Sequence, residues 1–179
     1  MWHLSTSINI PLKPLTDGVG NRRPGLQSGC AQPYVAISTQ AKLQERNKII
    51  ELTEELQNWI SNQKLKIAGP LFHHYYLIGS KSRTYGMEIG FPVCTAVKGD
   101  EQIVAGTIPK GVFATLVHCG HPDNISLSLD VLQRWCRNQQ LICQLNEEMR
   151  TDYFEFYLTY FANEPNPNKW RTAIAFLIE

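Results

Sequence analysis

One pattern occurs twice in this chain, and it constrains the fold more than any other feature. Leu56-Gln57-Asn58-Trp59-Ile60-Ser61-Asn62-Gln63-Lys64-Leu65 returns as Leu132-Gln133-Arg134-Trp135-Cys136-Arg137-Asn138-Gln139-Gln140-Leu141, sharing the form LQxWxxNQxL. Each copy closes a run of apolar residues at helical spacing: Ile49, Leu52, Leu56, Trp59 and Ile60 in the first, Leu127, Val131, Leu132, Trp135 and Cys136 in the second. A repeat of this kind marks one supersecondary unit used twice, with Trp59 and Trp135 expected as equivalent core anchors.

The flanks repeat as well. Strand-like runs at 34–39 and 112–118 precede the helices, and runs at 71–78 and 153–161 follow them. Ile89-Gly90-Phe91-Pro92-Val93 then matches Ile174-Ala175-Phe176-Leu177-Ile178, after loops at 79–86 and 163–169 rich in Gly, Ser, Pro and Asn. A three-stranded unit with one helix cannot cover its own sheet, so two units should pair about a pseudo-twofold. The expected fold is α+β: tandem strand-helix-strand-strand units (residues 33–98 and 107–179) in one antiparallel sheet, two helices on one face and a ligand cleft on the other. Residues 98–106 would link the units. Residues 1–32, with Pro11, Pro14, Gly18, Gly20, Pro24, Gly25 and Gly29 and no apolar period, read as a flexible tail.

Charge and composition remove several classes of function. The 17 basic residues are scattered and offset by 16 acids, a poor electrostatic footprint for nucleic acid, so no direct nucleic-acid binding is expected. No apolar run is long enough to span a membrane and no signal-type segment forms near Met1, so a cytoplasmic protein without membrane contact is expected. Five cysteines without CxxC spacing argue against a disulfide framework and for reduced, mostly buried thiols. With no P-loop, GxSxG elbow or HExxH, no cofactor is expected.

The residues that can carry chemistry lie on strands. In Tyr153-Phe154-Glu155-Phe156-Tyr157-Leu158-Thr159, alternation separates Phe154, Phe156 and Leu158 from Tyr153, Glu155 and Tyr157. The apolar set should meet the helices, leaving a carboxylate between two tyrosines on the cleft face. Such a carboxylate suits a lipophilic cation, with ring faces adding stacking and cation–π attraction, and when desolvated it can serve as a general base. Its repeat partner, 69–76, sets His73 opposite Glu155 and Tyr75 opposite Tyr157. His73 and His74 must point to opposite faces and cannot share a metal. Glu88 is a second candidate acid, on a strand expected to border the cleft, with Met87, Ile89 and Phe91 in the core. His118-Cys119-Gly120-His121-Pro122-Asp123-Asn124 crowds metal-type ligands but has no partner pair, and it reads instead as a turn in which Asp123 or Asn124 caps the next helix. No metal site is expected.

These segments also carry a family likeness. Gly69-Pro70 with Phe72 and Tyr75, then Glu88-Ile89-Gly90-Phe91-Pro92-Val93, Ile108-Pro109-Lys110-Gly111-Val112-Phe113-Ala114, His118-Cys119-Gly120 and Phe154-Glu155-Phe156-Tyr157-Leu158 resemble, in order, the motifs of the GyrI-like, or bacterial effector-binding, domain family. The resemblance implies a tandem fold whose groove binds hydrophobic, often cationic compounds, with the glutamate matching Glu155 facing the ligand in multidrug-sensing relatives. Some members are fused to DNA-binding modules, some stand alone, one group protects DNA gyrase, and another hydrolyses cyclopropane-containing genotoxins. The chain departs from the regulators in that the segment before Pro33 is too short and too rich in Gly and Pro for a helix-turn-helix. It also has His121-Pro122 where relatives commonly have Gly-Pro-Tyr.

The leading expectation is a module that senses or sequesters a small aromatic compound, cations included, through Glu155, Tyr153, Tyr157, His73, Tyr75 and Glu88. One alternative is a hydrolase of strained electrophiles, with Glu155 as base and Glu88 or His73 moving the second proton. Another is a gyrase-interacting protein, although no exposed apolar or acidic run marks a surface for one; any protein partner is unspecified.

Overall fold

The computed structural model describes residues 23–41, 45–77, 85–141, 152–159 and 164–178. Eight strands form one antiparallel sheet: β1 (Gly25–Gly29), β2 (Gln32–Ala41), β3 (Phe72–Leu77), β4 (Tyr85–Pro92), β5 (Val104–Ile108), β6 (Gly111–Cys119), β7 (Asp152–Tyr157) and β8 (Arg171–Ile178). Helix α1 (Arg46–Asn62) follows β2, and α2 (Ile125–Asn138) follows β6. The spatial order β1-β6-β8-β7-β3-β4-β2-β5 becomes its own reverse when the two halves are exchanged. A pseudo-twofold axis therefore passes between β3 and β7, in an α+β fold of two matched units.

The repeated ten residues encode the same helix ending twice. In the first, Gln63 N donates to Trp59 O, Lys64 N to Ser61 O and Leu65 N to Ile60 O; in the second, Gln139 N donates to Trp135 O, Gln140 N to Arg137 O and Leu141 N to Cys136 O. Lys64 and Gln140 take left-handed φ values of 54° and 55°. This is the Schellman ending, which reverses the chain and drops the next leucine back onto the core. The anchors of the two helices are Leu56 and Leu132, both 0% exposed. Trp59 and Trp135, expected in that role, are only half-buried at its margin, and Trp59 Nε1 donates to Asp100 Oδ2 at 2.7 Å.

Each unit opens with a strand that crosses to the other unit. β1 pairs with β6, and β5 pairs with β2. Two expected boundaries are corrected by this exchange. The segment read as a tail, residues 1–32, contains β1, and the segment read as a linker, 98–106, contains the start of β5 after a turn in which Asp100 Oδ1 accepts from Gln102 N and Ile103 N. Both strands are five residues long and give no alternating apolar signal; β1 is held mainly by backbone pairing, while β5 also buries Ile108 in the core. Residues 1–22, 78–84, Cys143 and residues 160–163 lie outside the described residues. Of the other cysteines, Cys30, Cys94 and Cys119 are exposed and only Cys136 is buried, a correction to the expected burial.

The sheet buries both faces. On the helix side, Val35, Ile37, Met87, Ile89, Leu116, Ile174 and Phe176 form one core with Leu56, Ile60, Leu129 and Leu132. On the other side, Tyr34, Phe72, Phe113, Phe154, Phe156 and Ala175 form a second core without helix residues. Gly90 serves that second core, since a Cβ there would run into the Phe72 ring. The expectation that Phe154 and Phe156 meet the helices is thus reversed. Alternation assigns residues to two faces but cannot name the faces when both are buried. Register settles it: Glu155 pairs with Ile174, on the helix side, and Phe154 pairs with Ala175, on the other.

Candidate functional site

The two central strands carry the site. His73 on β3 pairs directly with Glu155 on β7, and Tyr75 with Tyr153. Tyr157 continues the same face, its N–H donating to Leu71 O at 2.9 Å. Helix α1 packs on β2 and β4 and α2 on β6, so β3 and β7 lie in the interval between the helices. The expected cleft on the face away from the helices is corrected accordingly: the Glu155 cluster looks toward the helix side, in the core that contains Tyr75 and Tyr153.

Tyr157 joins the two halves. Its hydroxyl donates to Glu155 Oε2 at 2.9 Å and lies 2.8 Å from His73 Nδ1. The Tyr75 hydroxyl lies 3.4 Å from the same nitrogen, and the hydroxyls of Tyr153 and Tyr75 also bond the Glu155 carboxyl. The Tyr75 and Tyr153 rings stack at 4.9 Å between centroids, and the His73 ring meets Tyr157 edge-on at 4.6 Å.

Burial governs the protonation of this cluster. Glu155 is 4% exposed, and desolvation pushes its carboxyl from 4.5 up to about 7, against the downward pull of the hydroxyls of Tyr157, Tyr153 and Tyr75. His73 is 6% exposed, and desolvation lowers its imidazole from 6.5 to about 3, which keeps it neutral. Burial, and then the charge of Glu155, push the phenols of Tyr75 and Tyr157 well upward, so both stay protonated donors. His73 Nε2 is buried and has no hydrogen-bond partner among the described residues. Such an atom ordinarily costs about 1–3 kcal/mol, and a ligand that reached it would recover that cost.

The other candidates separate from this group. Glu88 does not join Glu155, because Met87 and Ile89 on either side of it register with Tyr75 and His73 and turn Glu88 to the opposite face. There Tyr34 Oη donates to Glu88 Oε2 at 2.7 Å and His74 Nδ1 lies 3.3 Å away, while the His74 ring stacks on Phe154 at 4.3 Å. His118 bridges β6 to α2, with Nδ1 2.9 Å from Ser128 Oγ and Nε2 3.1 Å from the His121 carbonyl. Asn124, one of the two expected caps, holds the N-cap position of α2 but makes no side-chain cap bond, while His121 caps the short 3-10 turn Pro122–Asn124 that precedes α2, its Nδ1 accepting from Asp123 N. Among the described residues no group of three His, Cys, Asp or Glu is placed to hold a metal. Ile89, read as core, and its repeat counterpart Ile174 are the outer register partners of His73 and Glu155; they were not read as site residues, since apolar residues carry no chemical signal and only register places them there.

The family model for the GyrI-like small molecule binding domain matches residues 30–179. The chain belongs to that family. No match is found among curated protein sequences. Among solved structures, this GyrI-like domain is similar to the EcmrR C-terminal domain, with a TM-score of 0.74 at 17% identity, covering 88% of this chain and 98% of that one. EcmrR in a cryo-EM complex with DNA gives a TM-score of 0.75 at 16% identity; 91% of this chain is covered but only 59% of that one. A hydrolase encoded by lin2189 from Listeria innocua gives 0.60 at 10% identity, covering 90% and 94% of the two chains. SAV2435 bound to tetraphenylphosphonium gives 0.55 at 13% identity, covering 88% and 94%. At these identities the structural likenesses establish the fold. Among the described residues, no helix is long and apolar enough to cross a membrane.

Proposed function

We propose that this GyrI-like domain binds lipophilic aromatic cations on the helix-side face of β3 and β7, with Glu155 as charge partner and Tyr75, Tyr153 and Tyr157 as ring surfaces. The observation that carries the reading is a buried carboxyl whose partners, among the described residues, are tyrosine hydroxyls rather than Lys or Arg. An ionised carboxylate so placed lacks a counterion, and a soft organic cation would supply one while gaining about 0.5–2 kcal/mol from each well-placed ring. Tetraphenylphosphonium, the ligand of SAV2435, has this chemistry. Calorimetric titration of the wild type and Glu155→Gln with tetraphenylphosphonium tests the reading. Loss of the charge should weaken binding by about 1.5–3 kcal/mol, and equal affinities would overturn the role of Glu155.

A hydrolase reading is favoured by one further observation, the displacement of the Glu155 carboxyl to about 7, where a general base works best. With Glu88 on the other face, His73 is the remaining candidate for the second proton. Turnover of a cyclopropane-type electrophile, abolished in Glu155→Gln, would support catalysis over binding alone.

A further inference from the structure

We infer that the Tyr157 hydroxyl makes the hydrogen-bonding sense of His73 Nε2 follow the charge of Glu155, so that the site presents an acceptor to cationic ligands and a donor to neutral ones. The ligand classes rest on the binding proposed above; the coupling itself does not.

The argument counts protons. A phenol has one proton and here two close neighbours, Glu155 Oε2 at 2.9 Å and His73 Nδ1 at 2.8 Å. When Glu155 is ionised, it can only accept, so Tyr157 donates to it. The Tyr157 oxygen must then accept from His73, which places the imidazole proton on Nδ1 and leaves a lone pair on Nε2. When Glu155 is protonated, its O–H donates to the Tyr157 oxygen, and the Tyr157 proton turns to Nδ1. The imidazole proton then sits on Nε2. One proton enters the site between these states, and the imidazole stays neutral in both.

The free end of this relay is the buried Nε2, which has no partner among the described residues. An internal group would give that atom one fixed partner and so one fixed sense; with none, either sense is permitted until a ligand arrives. The groups facing the relay do not compete for the imidazole's charge. Tyr75 on β3 and Tyr153 on β7 are phenols that bond Glu155, and Tyr75 also approaches Nδ1. β4 and β8 contribute Ile89, Ile174 and Thr172, the helices contribute Leu56, Ile60, Leu132 and Cys136, and His118 on β6 is engaged with Ser128 and the His121 carbonyl.

The test is ¹⁵N NMR of the His73 imidazole in the ligand-free protein, in which protonated and bare ring nitrogens resonate far apart. The wild type should carry its proton on Nδ1 well above the Glu155 midpoint and on Nε2 well below it, the exchange tracking the Glu155 carboxyl ¹³C shift. Tyr157→Phe should leave one tautomer at every pH. A wild-type imidazole that keeps one tautomer throughout, or a Tyr157→Phe imidazole that still switches, overturns the coupling. Tetraphenylphosphonium added near neutrality should drive His73 to the Nδ1–H form. If the tautomer follows pH but ignores the cation, the coupling stands and the placement of the cation beside Glu155 fails.

Discussion

His73 and Glu155 pair with each other at the centre of the sheet, and each is the other's counterpart in the duplicated unit. An axis that relates two copies of one motif tends to set like against like. Here an imidazole faces a carboxyl, and the hydroxyl of Tyr157, counterpart of Tyr75, spans them. Duplication supplies the frame while divergence at the axis supplies the chemistry. The proposed affinity for a charged ligand and the pH dependence of stability would therefore meet at one residue, Glu155.

Stability should show this first. The Glu155 carboxyl is raised from 4.5 to about 7, so the folded state holds the proton more tightly than the unfolded chain does. Its contribution is fully present below pH 4.5 and is lost as pH rises through about 7. At about 1.4 kcal/mol per pH unit between 4.5 and about 7, the loss is about 3–4 kcal/mol. Urea denaturation of Glu155→Gln at acid and alkaline pH should show the variant gaining about that much on the wild type as pH rises. Parallel curves for the two proteins would mean that Glu155 is not desolvated.

Binding should move the opposite way. A cation prefers the ionised carboxylate, so affinity for tetraphenylphosphonium should rise up to about tenfold per pH unit below the Glu155 midpoint and level off above it. Calorimetry in buffers of different ionisation enthalpy should register proton release near neutrality. The Glu155→Gln profile should be flat across the same range, and a wild-type profile equally flat would remove Glu155 from the binding event.

What could be read from the sequence follows from where information is carried by side chains. Helix ends, central strands and the His73–Glu155 correspondence were legible because Leu56, Trp59 and Leu65 recur as Leu132, Trp135 and Leu141 in one pattern. The facing of the cluster was not, since Phe154 and Phe156 are as buried as Tyr153 and Glu155. Strands β1 and β5 were missed because their pairing is written in backbone, with Gly at both ends of the first. Glu88 was grouped with Glu155 on residue type, whereas the β3–β4 register puts it beside His74.

Strand β1 should matter to stability despite its composition. It covers the edge of β6, with Gly25 and Gly29 buried and Thr115 Oγ1 donating to Gly25 O at 3.4 Å. A chain beginning at Gln32 loses those bonds, each with a net value of about 0.5–1.5 kcal/mol, and opens a sheet edge to self-association. It should unfold at lower urea concentration than a chain beginning at Arg23, by about 2–4 kcal/mol, and run larger on gel filtration. Equal midpoints would show that β1 pairs without stabilising.

The two helix endings offer a test of whether the repeat is equivalent in energy as well as in shape. Lys64 and Gln140 hold φ of 54° and 55° with side chains that crowd the backbone there, a strain of about 1–2 kcal/mol for an L-residue. Glycine removes that strain but adds freedom to the unfolded chain, which returns about 0.4–1 kcal/mol. Lys64→Gly and Gln140→Gly should each stabilise by about 0.5–1 kcal/mol in urea denaturation. The double variant should give the sum, because the two helices pack on separate strands. Asn62→Gly and Asn138→Gly, inside the last helical turn, should instead give no gain and cost about 0.3 kcal/mol each. A gain at one position and a loss at the other would show that the shared LQxWxxNQxL pattern preserves the geometry of the cap without preserving its energetics.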